Sequence, residues 1–183
     1  MSPLTRRMQK VIAPLRRSEE SQTIKTVEAR LAEMIPPDSR FHLFPPRLSI
    51  EKPAKRQAIP ARHVRLSVAD YGNRRMLDFI LDGRGKLVRV EEYRDPQPAL
   101  DHVEIGEARR IADRDARIAR LAKLRDVFVS DFAPEGAFEP GARIAGLRYV
   151  RAKRAHKFEL LAKVTVDLSE GRLVDVEAAE GLR

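Results

Sequence analysis

The chain has 183 residues, of which 43% are hydrophobic and only 5% aromatic, with no cysteine and a formal net charge of +9. This length allows one large domain or two small ones, each with an aliphatic core. The lack of cysteine excludes disulfides, thiolate metal sites and cysteine nucleophiles. No apolar run approaches the ~20 residues of a spanning helix, and the N-terminus lacks the apolar core of a signal peptide. We therefore expect a cytoplasmic protein.

The positive charge is concentrated at the N-terminus. Residues 1–17 carry five basic side chains and no acidic one. We predict a basic, disordered tail there, because such a segment cannot bury enough apolar surface to fold by itself. Binding of a polyanion through this tail is a less favoured alternative, and nucleic acid is not the expected partner. The residues concerned are Arg6, Arg7, Lys10, Arg16 and Arg17.

A first helix is predicted to begin at Ser18, whose hydroxyl can cap it, and to end before Pro36 and Pro37. Its apolar residues recur at helical spacing and form one stripe that needs a sheet to cover. The members of that stripe are Ile24, Val27, Leu31, Met34 and Ile35. Strands are predicted next at residues 41–44 and 64–68, with a mobile loop at 51–61 between them.

The clearest hairpin lies near the C-terminus, where residues 164–168 alternate between apolar and polar and a turn at Gly171 leads into residues 173–176. An earlier hairpin repeats this order 86 residues upstream (171 minus 85). The matched residues are Gly85 and Gly171, Lys86 and Arg172, Leu87 and Leu173, Val88 and Val174, Val90 and Val176, and Glu91 and Glu177. We therefore predict a tandem duplication.

Two prolines in residues 94–100 predict an extended linker between the copies. A second helix is predicted over residues 103–124, with a break or kink at Asp113-Arg114-Asp115, because Asp caps helices better than it continues them. Each copy then has one helix packed on a four-stranded antiparallel sheet, an α+β unit of the cystatin-like kind. The predicted domains are 18–93 and 101–183, after the tail 1–17 and around the linker 94–100.

Several short motifs of the second copy resemble those of a known protein family. Residues 95–98 read Asp-Pro-Gln-Pro, 112–113 read Ala-Asp ahead of Arg117 and Ile118, and 147–151 read Leu-Arg-Tyr-Val-Arg. With the hairpin at 164–177, these make the sequence resemble the second and third N-terminal domains of the copper amine oxidase family. The likeness extends from about residue 19 onward, and the motifs are structural ones.

The resemblance implies a fold and a partner but no catalytic residue. In that family the chemistry resides in a C-terminal β-sandwich, where a tyrosine in an Asn-Tyr-Asp/Glu motif becomes topaquinone and three histidines bind copper. Tyr71, Tyr93 and Tyr149 all lack that context, and no His-x-His pair occurs. We therefore assign no catalytic or cofactor-binding residue and expect no cofactor. Whether the chain is an enzyme stays open, and a non-enzymatic role is favoured. At most, the resemblance implies a subunit of a primary amine oxidase.

The remaining polar residues form no sequence pattern typical of a catalytic or metal site. The four histidines are separated by 21, 39 and 54 residues, so no two share a helix turn or a hairpin, and we expect no metal site. They are His42, His63, His102 and His156. A basic strip is predicted at a sheet edge of the second copy, where it either prevents aggregation or faces a partner. Its members are Arg148, Arg151, Lys153 and Arg154.

These observations favour a non-catalytic interaction module that docks on another protein. The partner would be a separately encoded amine oxidase catalytic chain, or further copies of this chain. An alternative is a cone-shaped α+β domain that binds a small ligand or catalyses a reaction. Inward-facing Asp or His on the strands would favour that alternative, whereas the alternation places mainly Val, Leu and Ile inward.

Overall fold

The computed structural model describes residues 11–51, 60–95, 97–153 and 157–179. It is an α+β protein with antiparallel sheets, as predicted. The chain divides into two compact units, one of Met1–Asp70 with Arg75–Arg94 and one of Tyr71–Arg74 with Asp95–Arg183. The limits predicted for tail, domains and linker stay predictions. No helix in the described ranges is long and apolar enough to cross a membrane.

The described part of the first unit contains a long helix and five strands. The long helix is α1 (Arg17–Met34), and the strands are β1 (Phe41–Leu43), β2 (Arg47–Glu51), β3 (Ala61–Asp70), β4 (Arg75–Asp82) and β5 (Leu87–Tyr93). Val11 and Ile12, ahead of that helix, are also helical. The sheet order is β1-β3-β4-β5, and β2 also pairs with β3.

Helix α1 begins one residue before the predicted position. The helix cap is formed by Glu19, whose Oε2 accepts a hydrogen bond from the Arg16 backbone N–H at 2.8 Å, rather than by Ser18. The helix ends at Met34, and Ile35 has an extended backbone, because the residue before a proline disfavours the helical conformation. Val27 and Leu31 are fully or nearly fully buried against the sheet residues Leu66 and Phe79.

The first sheet has five strands where the sequence predicted four. Pro45 and Pro46 interrupt the edge of the sheet because proline has no N–H to donate to the ladder. The edge is therefore split into β1, which pairs with the end of β3, and β2, which pairs with its beginning. Between them the Phe44 N–H donates to the Ser67 carbonyl at 2.9 Å.

The described part of the second unit contains two helices and four strands. These are α2 (His102–Ala112), α3 (Ala116–Ala122), β6 (Val127–Phe132), β7 (Ile144–Ala152), β8 (Phe158–Asp167) and β9 (Arg172–Ala178). The strand order is β6-β7-β8-β9. Helix α2 packs on β7, β8 and β9, and α3 packs on β6. The core residues include Ile111, Ile118, Leu121, Leu147, Tyr149, Val164, Val166 and Leu168.

The single helix predicted over residues 103–124 is two helices, each with its own aspartate cap. Asp101 accepts hydrogen bonds from the Val103 and Glu104 N–H groups at 2.9 and 3.0 Å. Asp115 accepts from the Arg117 N–H at 2.9 Å. A side chain that caps one helix cannot continue the preceding one, so the chain turns between Asp113 and Asp115.

The two C-terminal hairpins of the units have similar turns. Gly85 and Gly171 both have positive φ, +80° and +65°, which glycine adopts without the steric cost that a Cβ brings. Each hairpin also has a register shift close to its turn, after Ile80 in one and after Thr165 in the other. The tandem duplication itself stays a prediction.

Candidate functional site: the polar clusters and the exposed face of the second unit

The second unit buries an ion pair in its interior. The side chains of Glu104 and Arg143 are 0% and 6% exposed. Arg143 Nε donates to Glu104 Oε1 at 2.8 Å, and Arg143 Nη2 donates to Glu104 Oε2 at 2.6 Å. This two-point geometry is the strongest arrangement that a guanidinium and a carboxylate adopt. Glu104 lies in the first turn of α2, and Arg143 is the residue immediately before β7.

The remaining polar atoms of this pair also have partners within the unit. Arg143 Nη1 donates to the Pro98 carbonyl at 2.6 Å, and its Nη2 donates to the Ala99 carbonyl at 3.3 Å. Glu104 Oε1 accepts from the Tyr71 hydroxyl at 3.0 Å. Burial raises the pKa of Tyr71, and the Glu104 carboxylate raises it further. Tyr71 therefore stays protonated at neutral pH and acts here as a hydrogen-bond donor, not as a base.

The first unit has a different buried carboxylate. Asp78 lies on β4, and its Oδ1 accepts from the Ser67 hydroxyl at 2.5 Å and from the Tyr93 hydroxyl at 3.3 Å. Arg65 Nη1 lies 3.3 Å from Asp78 Oδ2, and the Arg65 side chain is 43% exposed. Burial and the Asp78 carboxylate raise the pKa of Tyr93. This cluster joins β3, β4 and β5 through their side chains.

The histidines are placed as follows. His63 Nδ1 lies 3.3 Å from Glu51 Oε2 across β2 and β3. The rings of His42 and Phe44 meet edge to face at 4.8 Å. His102 is the exposed first residue of α2, and His156 lies outside the described residues. The expectation of no metal site stays a prediction.

The predicted polyanion-binding residues are only partly described. Arg6, Arg7 and Lys10 lie outside the described ranges, whereas Arg16 and Arg17 are exposed at the start of α1. Residues 11–14 run along the first unit, where Arg62 Nη1 donates to the Val11 carbonyl at 3.0 Å. Polyanion binding stays a prediction.

Two members of the predicted basic strip do not lie on an edge strand, and a partner-facing role for the strip stays a prediction. Arg148 and Arg151 are on β7, which has β6 on one side and β8 on the other. Arg151 lies 3.1 Å from Asp126, and Lys153 lies 3.1 Å from Glu159. Arg154 is outside the described residues. Sequence alternation identifies a strand but not its neighbours, so the position of β7 within the sheet could not be predicted.

Arg148 points to the opposite face of β7 from Leu147 and Tyr149, and its guanidinium lies 4.7 Å from the centre of the Phe132 ring. The pairing register places Ser130, Arg148, Lys163 and Glu177 in one row across the four strands. The next row contains Phe132, Gly146, Thr165 and Asp175. The loop that follows β6 lies beside these rows and encloses a cavity of about 280 Å³.

The other half of this face is apolar and exposed. Phe128 pairs with Val150, which pairs with Leu160 on the next strand. The rings of Phe128 and Phe158 meet edge to face at 5.6 Å. Phe128, Phe158 and Leu160 are 44%, 65% and 43% exposed. We call these three residues the aromatic patch. Exposed apolar clusters of this kind are typical of protein-binding surfaces.

No sequence pattern predicted the aromatic patch or the Glu104–Arg143 pair. The spacing of Asp101 and Glu104 does fit a capping box, so Glu104 could have been placed in the first turn of a helix. Its partner Arg143 is 39 residues away in the chain, and no local pattern connects them. The patch residues lie on two different strands, β6 and β8, and only the strand order brings them together.

No protein-family model matches this chain, and no curated protein matches its sequence. The fold is similar to that of a copper-containing benzylamine oxidase from Hansenula polymorpha, with a TM-score of 0.58 and 12% sequence identity. The match covers 87% of this chain and 29% of the oxidase chain. The chain therefore spans less than a third of the length of that oxidase. At this identity the comparison shows a related fold.

Proposed function

We propose that this protein is a non-catalytic interaction module that corresponds to the consecutive N-terminal domains of copper amine oxidases and docks on a separately encoded amine oxidase catalytic chain. The observation that carries the proposal is the extent of the fold similarity, which includes 87% of this chain but only 29% of the oxidase. The catalytic chain would supply the parts that correspond to the rest of the oxidase.

The polar clusters support a structural role for the buried ionisable groups. Arg143 donates hydrogen bonds to the Glu104 carboxylate and to the backbone carbonyls of Pro98 and Ala99. Asp78 accepts hydrogen bonds from two hydroxyl groups. A general acid or base needs access to a reacting group, whereas these side chains are occupied by contacts that hold helix, linker and strands together.

The aromatic patch supports a docking role. Phe158 is 65% exposed, and its ring stands against that of Phe128. Aromatic side chains supply large contact area at low cost in conformational entropy, and they are enriched at the centres of protein interfaces. The proposed docking surface on this module is therefore the outer face of β6 and β8.

Co-expression with a copper amine oxidase catalytic chain from the same organism tests the proposal. We expect the two proteins to elute together in size-exclusion chromatography at equal molar amounts. Phe158→Asp should abolish co-elution, since it places a charge in the desolvated patch. Val88→Asp is the matched control, because Val88 is 50% exposed on β5 of the first unit. Separate elution of the unsubstituted pair, or equal loss with both variants, would contradict the proposal.

A second candidate function is small-ligand binding, favoured by a cavity of about 510 Å³ in the second unit. Phe132, Phe138 and Pro98 contribute apolar walls, and Gln97 and Asp131 contribute polar atoms. This volume lies within the ~300–1,000 Å³ typical of ligand pockets. Titration of the labelled full chain with small amines and carboxylic acids, followed by NMR, should then move the backbone amide signals of Phe132, Phe138, Gln97 and Asp131. Unmoved signals for every compound would exclude this function for those ligand classes.

A further inference from the structure

Among the described strands the two sheets have four outer edges. Three of these edges carry features that disfavour pairing with another strand. Pro45 and Pro46 interrupt the edge formed by β1 and β2. Charged side chains line the other two protected edges. On β5 these are Arg89, Glu91 and Glu92, and on β9 they are Arg172, Asp175 and Glu177. Prolines, short strands and charges are the usual means by which proteins keep sheet edges from associating.

The fourth edge, β6, lacks this protection. Its sequence is Val-Phe-Val-Ser-Asp-Phe, with Asp131 as the single charged residue and no proline. Among the described residues β6 has one strand neighbour, β7. Phe128 is 44% exposed on this strand. A cavity of about 510 Å³ opens beside Asp131 and Phe132. The strand therefore combines high β-propensity with an edge on which the described residues place no second strand.

The sequence of β6 is complementary to itself in an antiparallel arrangement. If two copies of the strand are paired about Ser130, Phe128 of one copy lies opposite Phe132 of the other, and Val129 lies opposite Asp131. Phe128, Ser130 and Phe132 are alternate residues and so share the outer face of the sheet. Aromatic side chains would thus face aromatic side chains across the new pair, which stabilises antiparallel sheets. No two like charges are opposed.

We propose that β6 is a homodimerisation edge that pairs antiparallel with β6 of a second copy of this chain, with Ser130 on the two-fold axis. Each four-stranded sheet then becomes half of a continuous eight-stranded sheet. The backbone groups on the outer side of β6 gain hydrogen-bond partners, and Phe128 gains an aromatic neighbour. The same arrangement on β9, centred on Asp175, would oppose two carboxylates, which is destabilising. This proposal goes beyond docking on a catalytic chain and does not depend on it.

A single engineered cysteine tests the register. The chain contains no cysteine, so Ser130→Cys introduces the only one. Residues directly opposite each other in an antiparallel pair have Cα atoms about 4.5 to 5.5 Å apart, within the range of a disulfide. We expect oxidation with copper–phenanthroline to convert most of the S130C protein into a disulfide-linked dimer on a non-reducing gel.

Two matched variants distinguish crosslinking in this register from crosslinking by random collision. Asp131→Cys places the thiol on the neighbouring residue of the same strand, which faces the other side of the sheet and lies opposite Val129 of the second copy. Val174→Cys places it at an exposed position of the β9 edge. Both should crosslink at least tenfold more slowly than S130C. A monomeric S130C protein, or equal crosslinking of all three variants, would overturn the proposal.

The native association is measured by light scattering after size-exclusion chromatography over a dilution series. The unsubstituted protein and Val174→Lys should both have twice the mass of the single chain at high concentration. Ser130→Lys should be monomeric, because two ammonium groups would meet on the two-fold axis. Circular dichroism establishes that S130K is folded. A monomeric unsubstituted protein, or a dimeric folded S130K, would refute the inference.

Discussion

The two units bury a carboxylate in different electrostatic surroundings. In the first unit, Asp78 is held by two hydroxyl groups, and its cation Arg65 remains 43% exposed. In the second, Glu104 is paired with Arg143, whose side chain is 6% exposed. We expect the first arrangement to tolerate the loss of its cation, because the neutral donors remain. The second depends on both partners, since loss of either leaves a charge in the interior. Similar secondary structure thus does not imply similar sensitivity to substitution.

The largest predicted effect comes from Arg143→Met. This variant leaves the Glu104 carboxylate buried without its cation, so we expect the free energy of unfolding to fall by about 3–5 kcal/mol. Urea denaturation followed by circular dichroism measures the change. Arg65→Met is the corresponding change in the first unit, and it should cost no more than about 1 kcal/mol because Arg65 is partly exposed. Equal losses for the two variants would show that the contrast between the units is wrong.

A double variant sharpens this prediction. Glu104→Gln combined with Arg143→Met removes both charges from the interior, so much of the stability lost in R143M should return. No recovery would indicate that the packing of the Arg143 side chain, and not the unpaired charge, causes the loss.

A second contrast concerns the central strands. β3 of the first unit has no glycine, whereas β7 has Gly146, which lies beneath Phe132. A Cβ at position 146 would lie 2.6 Å from the Phe132 carbonyl oxygen and 2.8 Å from its ring. We therefore expect Gly146→Ala to cost about 1–3 kcal/mol, as overpacking usually does. Thermal denaturation should show a lower melting temperature.

Gly106 provides a control of opposite sign. It lies within α2, and a Cβ there would meet no atom within 4 Å. Gly106→Ala should therefore stabilise the protein by about 0.5–1 kcal/mol, because alanine has the higher helix propensity. Destabilisation by both alanine variants would mean that the crowding at Gly146 is not the cause.

A third contrast is between the continuous helix α1 and the broken pair α2 and α3. Asp115 caps α3, and its hydrogen bonds with the Arg117 side chain and backbone lower the pKa of its carboxyl from 3.8 to about 2. Asp115→Ala should reduce the free energy of unfolding by about 1 kcal/mol at neutral pH. Asp38, a surface residue near the end of α1, is the control site, and Asp38→Ala should change stability little.

The sign of the pH dependence follows from the lowered pKa. A depressed carboxyl pKa stabilises the folded state above the unfolded-state value, and this contribution is lost as the pH falls through the folded-state value. The stability difference between D115A and the unsubstituted protein should thus be constant above about pH 5 and shrink as the pH falls from about 4 to about 2. A difference that grows in this interval would contradict the cap.

The sequence predicted where helices and strands lie along the chain better than it predicted which elements pack next to each other. Hydrophobic alternation located β8 and β9, and Asp113 and Asp115 indicated the break between α2 and α3, because these signals lie within a few residues of each other. The five-stranded first sheet was missed because two short strands share one partner. The position of β7 inside its sheet, the Glu104–Arg143 pair and the aromatic patch all depend on strand order or on contacts between distant residues. Periodicity contains no information about either.

The smallest predicted change in stability is that of Tyr149→Phe, and it is compared with Tyr71→Phe at a second buried tyrosine of the same unit. The Tyr149 hydroxyl is buried with no hydrogen-bond partner among the described residues, and burial raises its pKa to about 12. Tyr149→Phe removes an unsatisfied polar group, so we expect no loss of stability and a gain of up to about 1 kcal/mol. Tyr71→Phe instead removes the hydrogen bond to the Glu104 carboxylate and should cost about 1.5–3 kcal/mol. Paired urea titrations of the two variants measure the difference in the free energy of unfolding. If Tyr149→Phe lowers it as much as Tyr71→Phe does, the Tyr149 hydroxyl has a hydrogen-bond partner, such as an internal water.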